Sequence, residues 1–82
     1  MRSLSMVCVV WLDSCTEAGW MHDAEATMRV AEIKSVGWLL EDTETQVTLA
    51  QSVDWEGKTS ERLTMPKSVV VSITVLRDAR FP

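Results

Sequence analysis

Hydrophobic and polar positions along the chain predict five short β-strands separated by polar turns. Residues 5–12 are apolar at both parities, a pattern typical of a strand covered on both faces. The other four strands are predicted at 33–40, 46–53, 62–65 and 69–76, and residues 77–82 are predicted to form a tail.

The connections between these strands predict the fold. After Trp20, apolar residues recur at helical spacing over 20–31, which predicts either a helix of one or two turns or an irregular loop. Gly37 interrupts the second strand, and a glycine there often marks a bulge or bend. Pro66 ends the fourth strand and sets a tight turn. The pattern predicts an all-β, five-stranded small barrel of the SH3-like or Sm-like kind, with a short helix or loop insert after the first strand.

Length and charge narrow the classes of partner. A chain of 82 residues allows one domain over 1–82, and so small a core leaves a narrow stability margin that self-association would widen. The first strand is apolar on both faces, so we expect a homo-oligomer. The net charge is −4 and the eight basic residues are scattered singly. This disfavours nucleic acid, whose phosphates call for a basic face.

The apolar start of the chain and its two cysteines indicate where in the cell the protein is expected. No apolar run reaches the roughly 18 residues of a membrane span, and the first apolar stretch ends at Asp13 without a cleavage site. We therefore expect no membrane association and a cytoplasmic protein. Cys8 and Cys15 are expected to be free thiols, with Cys8 a small core residue.

Catalytic chemistry has little support in the chain. His22 is the only histidine and has no nucleophile elbow to serve. The cysteines lack the paired spacing of zinc ligands, and no glycine-rich phosphate loop is present. We expect no enzyme activity, no metal and no cofactor.

The four tryptophans divide into two groups. Trp11 and Trp38 lie within predicted strands, where an indole usually fills the core. Trp20 and Trp55 lie in or beside loops, where an indole is harder to bury. We predict that Trp20 and Trp55 contact a ligand or partner, since exposed indoles stack on planar groups.

Polar residues near the loops complete the candidate ligand site. Asp13 and Ser14 end the first strand, where an Asx-turn is the structural alternative to a ligand contact. Lys67 and Ser68 follow the proline turn and could present a cation and a hydroxyl to an anion, although Lys67 also suits a solvated turn. Arg62 is a further candidate cation.

Five short motifs are spread along the chain, namely Trp-Leu-Asp-Ser at 11–14, Gly-Trp at 19–20, Ser-Val-Gly-Trp-Leu at 35–39, Val-Thr-Leu-Ala at 47–50 and Met-Pro-Lys-Ser at 65–68. In these motifs the chain resembles a family of small uncharacterised proteins of bacteriophages and prophages. The resemblance covers roughly residues 7–76 and implies a phage accessory protein in a bacterial host cell.

Three functions follow as hypotheses. The resemblance favours a non-enzymatic protein that sequesters a small nucleotide-like host immune signal in a pocket between subunits. The first alternative is a protein-interaction module that inhibits a host protein or serves phage assembly. The second is an Sm-like nucleic-acid-binding protein, which the acidic charge disfavours.

Overall fold

The computed structural model describes residues 2–15, 18–26 and 29–81. Besides strands it contains two three-residue 3₁₀ turns, Asp23–Glu25 and Lys67–Val69. The strands, numbered in chain order, are β1 (Arg2–Asp13), β2 (Ala31–Asp42), β3 (Gln46–Val53), β4 (Thr59–Pro66) and β5 (Val70–Phe81).

All five strands belong to one antiparallel sheet with the order β4-β3-β2-β1-β5. The prediction of an all-β fold with five strands is confirmed. Over 20–31, where the pattern predicts either a short helix or an irregular loop, the structure has a single 3₁₀ turn before β2 begins at Ala31, and positions 27 and 28 lie outside the described residues. None of the helical turns in the described ranges is long and apolar enough to cross a membrane.

The last strand is longer than the sequence pattern predicts. β5 continues to Phe81, through most of the segment predicted to be a tail. Its second half pairs with the start of β1, from Met6 opposite Arg77 to Arg2 opposite Phe81. The charges there obscure the strand pattern, but β5 is an edge strand, where charged side chains are common because they discourage further pairing. β4 also begins earlier than predicted, at Thr59.

A three-residue link connects the two opposite edges of the sheet. β4 and β5 are those edges, yet only Lys67–Val69 separates them. Pro66 pairs with Gln46 on β3, and Val70 pairs with Trp11 on β1. The four Cα steps from Pro66 to Val70 span at most about 14 Å, so the sheet must roll to bring its edges together. The result is a rolled open sheet, and no β4–β5 pairing closes it among the described strands.

A second contact across the roll involves the start of β1. Arg2 donates a hydrogen bond from Nη1 to the carbonyl oxygen of Gly57, at 3.1 Å, in the turn between β3 and β4. β1 and β3 are not neighbours in the sheet, so this bond joins parts of the chain that the strand pairing alone would keep apart. The roll is therefore held at two separate places.

The core lies inside the roll and is small. Its central cluster comes from three strands, β1, β3 and β4, and no member exceeds 4% exposure. The cluster consists of Val7, Val9, Val47, Leu49 and Met65. Partly buried side chains pack against it, namely Trp11, Leu39, Val69, Val70 and Ile73.

Trp11 and Trp38 are both partly buried, as residues of predicted strands should be. Trp11 packs against the core cluster, and its Nε1 donates to the hydroxyl of Ser35 at 2.9 Å. Trp38 meets Phe81 edge-to-face, with ring centroids 5.0 Å apart and planes at 85°. This geometry is favoured between aromatic rings.

Cys8 is not the core residue that the sequence pattern predicts. Its neighbours Val7 and Val9 are fully buried, and side chains alternate between the faces of a strand, so Cys8 lies on the other face and is half-buried. Because β1 is apolar at both parities, its pattern does not reveal which set points inward. Cys15 is exposed, and both cysteines are free thiols.

Gly37 is needed for a close approach of two strands. The bulge in the β2–β3 pairing lies between Leu39 and Glu41, so the predicted bend at Gly37 is displaced along the strand. The φ of Gly37 is not in the left-handed region. A Cβ on Gly37 would lie 2.9 Å from the carbonyl oxygen of Ala50 and 3.2 Å from Cβ of Leu49. Real Cβ atoms do not approach a backbone oxygen so closely, so any side chain at position 37 pushes β3 away.

Replacing Gly37 should therefore destabilise the fold in proportion to the size of the new side chain. We expect Gly37→Ala to lower the free energy of unfolding by about 1–3 kcal/mol, the usual cost of overpacking. Gly37→Val should leave no soluble folded protein. Denaturant unfolding followed by tryptophan fluorescence measures the difference. Glu32→Ala, an exposed change in the same strand, is the control and should stay within about 0.5 kcal/mol of wild type.

Candidate functional site

A cleft opens where β2 and β3 separate. The two strands pair from Asp42 opposite Val47 only as far as Trp38 opposite Ala50. Beyond that point the first half of β2 pairs with β1, and the end of β3 pairs with β4. The cleft between them has a volume of about 280 Å³, with apolar walls from Val36, Leu49 and Leu63 and polar groups from Ser35, Gln51 and Glu61.

Glu61 in this cleft has an unusual backbone. Its φ is 54°, which makes it the one non-glycine residue in the left-handed region among those the structure describes. The β3–β4 register skips the position where Glu61 would face Gln51. A left-handed residue within a strand costs about 1–3 kcal/mol, and such strain often occurs at functional sites. Nothing in the sequence pattern indicates it, since glutamate is ordinary in an exposed strand.

A second depression lies on the loop between β1 and β2. It measures about 260 Å³ and is lined by Trp20, Met21, His22 and Glu25. The 3₁₀ turn organises this stretch, since the N–H of Glu25 donates to the carbonyl of His22 at 2.9 Å. Trp20 has a relative exposure of 105%, so its whole indole faces solvent. Full exposure is uncommon for so large an apolar side chain, which makes this loop one candidate for a contact surface.

Asp13 and Ser14 have a local role in the structure. Asp13 is the last residue of β1 and lies opposite Ala31. Its Oδ1 accepts a hydrogen bond from the backbone N–H of Ser14 at 2.8 Å. Both residues are exposed. This bond comes from the adjacent residue, whereas an Asx-turn would take it from the residue two positions on, so it orients the Asp13 carboxylate locally without forming that turn.

Lys67 is engaged with two groups near the end of β2. Its ammonium forms an ion pair with the carboxylate of Asp42, the last residue of that strand. Its backbone N–H donates to the carbonyl of Thr45 at 2.9 Å. Asp13, by contrast, lies at the other end of β2, opposite Ala31, the first residue of that strand. The structure therefore ties Lys67 to the β2–β3 turn, while the adjacent Ser68 is exposed.

Trp55 lies at the tip of the β3–β4 hairpin. It is 78% exposed. The tip is held by Asp54, whose Oδ1 accepts hydrogen bonds from the N–H groups of Glu56 at 2.9 Å and Lys58 at 2.8 Å. The φ of +84° at Gly57 completes the turn, because glycine adopts it without steric cost.

Arg62 makes its contacts within β4. Its Nε and Nη2 both donate to the hydroxyl of Thr59, at 3.0 and 2.7 Å. The side chain is exposed, so these bonds orient it along its own strand.

The predicted ligand residues therefore lie in separate parts of the molecule. Neither Asp13 nor Lys67 lines the depression at Trp20, and neither lines the cleft at Glu61. Trp20 and Trp55 share high exposure but belong to different loops. Across residues 2–15, 18–26 and 29–81, no three or more His, Cys, Asp and Glu side chains are grouped to hold a metal ion.

Comparison of the chain with protein-family models, with curated proteins and with solved structures finds no match.

The left-handed backbone of Glu61 predicts that glycine stabilises the fold at position 61 and destabilises it at the neighbouring position 60. Glu61→Gly should raise the free energy of unfolding by about 0.5–1 kcal/mol, because glycine adopts a positive φ freely and this gain exceeds its entropic cost. Ser60→Gly, which lies in the same strand with ordinary backbone, should lower it by a similar amount. Thermal melts of both variants against wild type provide the measurement. A lower melting temperature for Glu61→Gly would show that the side chain compensates for the strain.

Proposed function

We propose that this protein is a non-enzymatic binding domain whose contact surface is the loop that carries Trp20. The complete exposure of Trp20 supports this most directly. Covering an exposed indole with a flat or apolar surface lowers the free energy, because it removes apolar area from water. Met21, which is 40% exposed, extends the apolar surface beside it, while His22 and Glu25 provide a polar rim.

The ligand class that fits best is a small, planar, nucleotide-like molecule. A tryptophan face stacks on any nucleobase, and His22 and Glu25 offer hydrogen bonds to a base edge or ribose. The depression of about 260 Å³ is smaller than the 300–1,000 Å³ of a typical small-molecule pocket, so one chain supplies only part of a site. A pocket between subunits would meet this need.

The resemblance to phage proteins gives the biological setting of the proposal. A phage accessory protein in the cytoplasm of a bacterial host would act as an anti-defence sponge, sequestering a nucleotide-like immune signal without altering it. Sequestration requires an exposed binding surface and no catalytic group, which agrees with the sparse catalytic chemistry of the chain.

A protein-interaction module is the second candidate. The stretch around the loop also exposes Leu12 at 38% and Val30 at 54%, in addition to Trp20 and Met21. Aromatic residues and methionine are enriched at protein interfaces. Nucleic acid fits less well, because the described residues that line the depression include no lysine or arginine and the net charge is −4.

The exposed tryptophans allow a matched test of the ligand proposal. Thermal-shift screening with cyclic nucleotides and ADP-ribose-type nucleotides should identify a ligand that raises the melting temperature of the wild type. Trp20→Ala should then weaken that ligand by about 1–3 kcal/mol, the usual value of one stacking contact, as measured by calorimetry. Trp55→Ala removes the other highly exposed indole, which lies in a different loop, and should leave affinity unchanged.

Other results would redirect or end the proposal. If no nucleotide shifts the melting curve while a host protein co-purifies with wild type but not with Trp20→Ala, the loop is a protein-interaction surface. If Trp20→Ala unfolds the chain, the indole is structural and the contact surface is not this loop. Lys67→Met adds a further distinction: an affinity loss in that variant would mean that Lys67 leaves Asp42 to bind the ligand.

A further inference from the structure

The sheet has a second apolar face, which we call the outer face. Residues directly opposite each other in an antiparallel pair lie on the same face of the sheet. Cys8 lies opposite Val36 on β2 and Thr74 on β5, and all three are on the side away from the buried Val7 and Val9. The outer face consists of three such rows, namely Arg77-Met6-Trp38, Thr74-Cys8-Val36 and Ser72-Val10-Lys34.

The outer face is apolar at its centre and charged only at its corners. Its middle row has no charge, and Val36 in that row is 58% exposed. Met6 and Val10, above and below Cys8 on β1, are half-buried. Its two charged residues lie in the first and third rows, Arg77 on β5 and Lys34 on β2. An apolar centre with a polar margin is the anatomy of a protein interface.

The exposed area of the chain is larger than one compact subunit should have. The accessible surface is 6126 Å², whereas a compact monomer of 9.2 kDa exposes about 4,900 Å². The excess of about 1,200 Å² exceeds the roughly 800 Å² that each partner contributes to a stable interface. The radius of gyration, 16.3 Å, likewise exceeds the value of about 12 Å expected for 82 residues.

We propose that the outer face is the interface between two copies of this chain. The central cluster of the core contains only five side chains, so the fold needs further burial wherever the protein is made. A second copy of the chain is available wherever the first is made, whereas a host partner is available only in cells that contain it. In a two-fold interface the same surface of each copy meets itself. The middle row has no charged side chain, so two copies can pack there without burying like charges. This inference does not depend on the ligand or on the role of Trp20.

Two valines of equal exposure provide the test. Val36, 58% exposed, lies on the outer face, and Val75, 57% exposed, lies opposite Val7 on the side of the core. Light scattering coupled to size exclusion at micromolar concentration should give twice 9.2 kDa for wild type and for Val75→Asp. Val36→Asp should give the mass of one chain, because a carboxylate cannot be buried unpaired between two copies.

A second variant keeps the test decisive if Val36→Asp does not fold. Thr74→Arg changes an exposed residue in the same row, and it should also give the mass of one chain. A monomeric wild type would overturn the proposal. So would a Thr74→Arg variant that stays dimeric, or dissociation by Val75→Asp but not by Val36→Asp. Because mass is read without ligand, a failure here is distinct from a failure of nucleotide binding.

Discussion

The short connection between β4 and β5 is the constraint on which the rest of the structure depends. These strands are opposite edges of the sheet, and three residues connect them. A flat sheet of five strands would hold its edges about 19 Å apart, further than that link can span. The sheet must therefore roll. The roll encloses Val7, Val47 and Met65 and produces a core that no single strand could create.

The same roll explains where the unusual backbone lies. To follow the curvature, β2 pairs with β3 over one half only and with β1 over most of its length. The strands cross closely at Gly37, where no side chain fits, and separate just beyond it. The cleft and the left-handed Glu61 occur at that separation. The left-handed residue, the cleft and the position without a side chain thus lie close together in the sheet.

The hydrophobic pattern of the chain predicts its five strands but not the residues with unusual backbone or long-range contacts. β3 is found at the predicted residues because alternation is clear and polar turns flank it. The pattern does not predict the second half of β5, because Arg77, Asp78 and Arg80 are typical of a solvated tail and form a strand here through their pairing with β1. The exposure of Trp20 followed from its loop position. The strain at Glu61 and the ion pair of Lys67 depend on contacts between distant segments, which no local pattern contains.

The position of β1 has a consequence for how the chain reaches this fold. β1 is synthesised before the other four strands, and one of its two neighbours in the sheet, β5, is synthesised after them. Their pairing joins Arg2 to Phe81, so it closes a loop that contains the other three strands. Contacts of such high order form slowly because the intervening loop must be closed first. During synthesis, β1 therefore keeps one unpaired edge until β5 has emerged from the ribosome, and until then that edge is open to pairing with other strands.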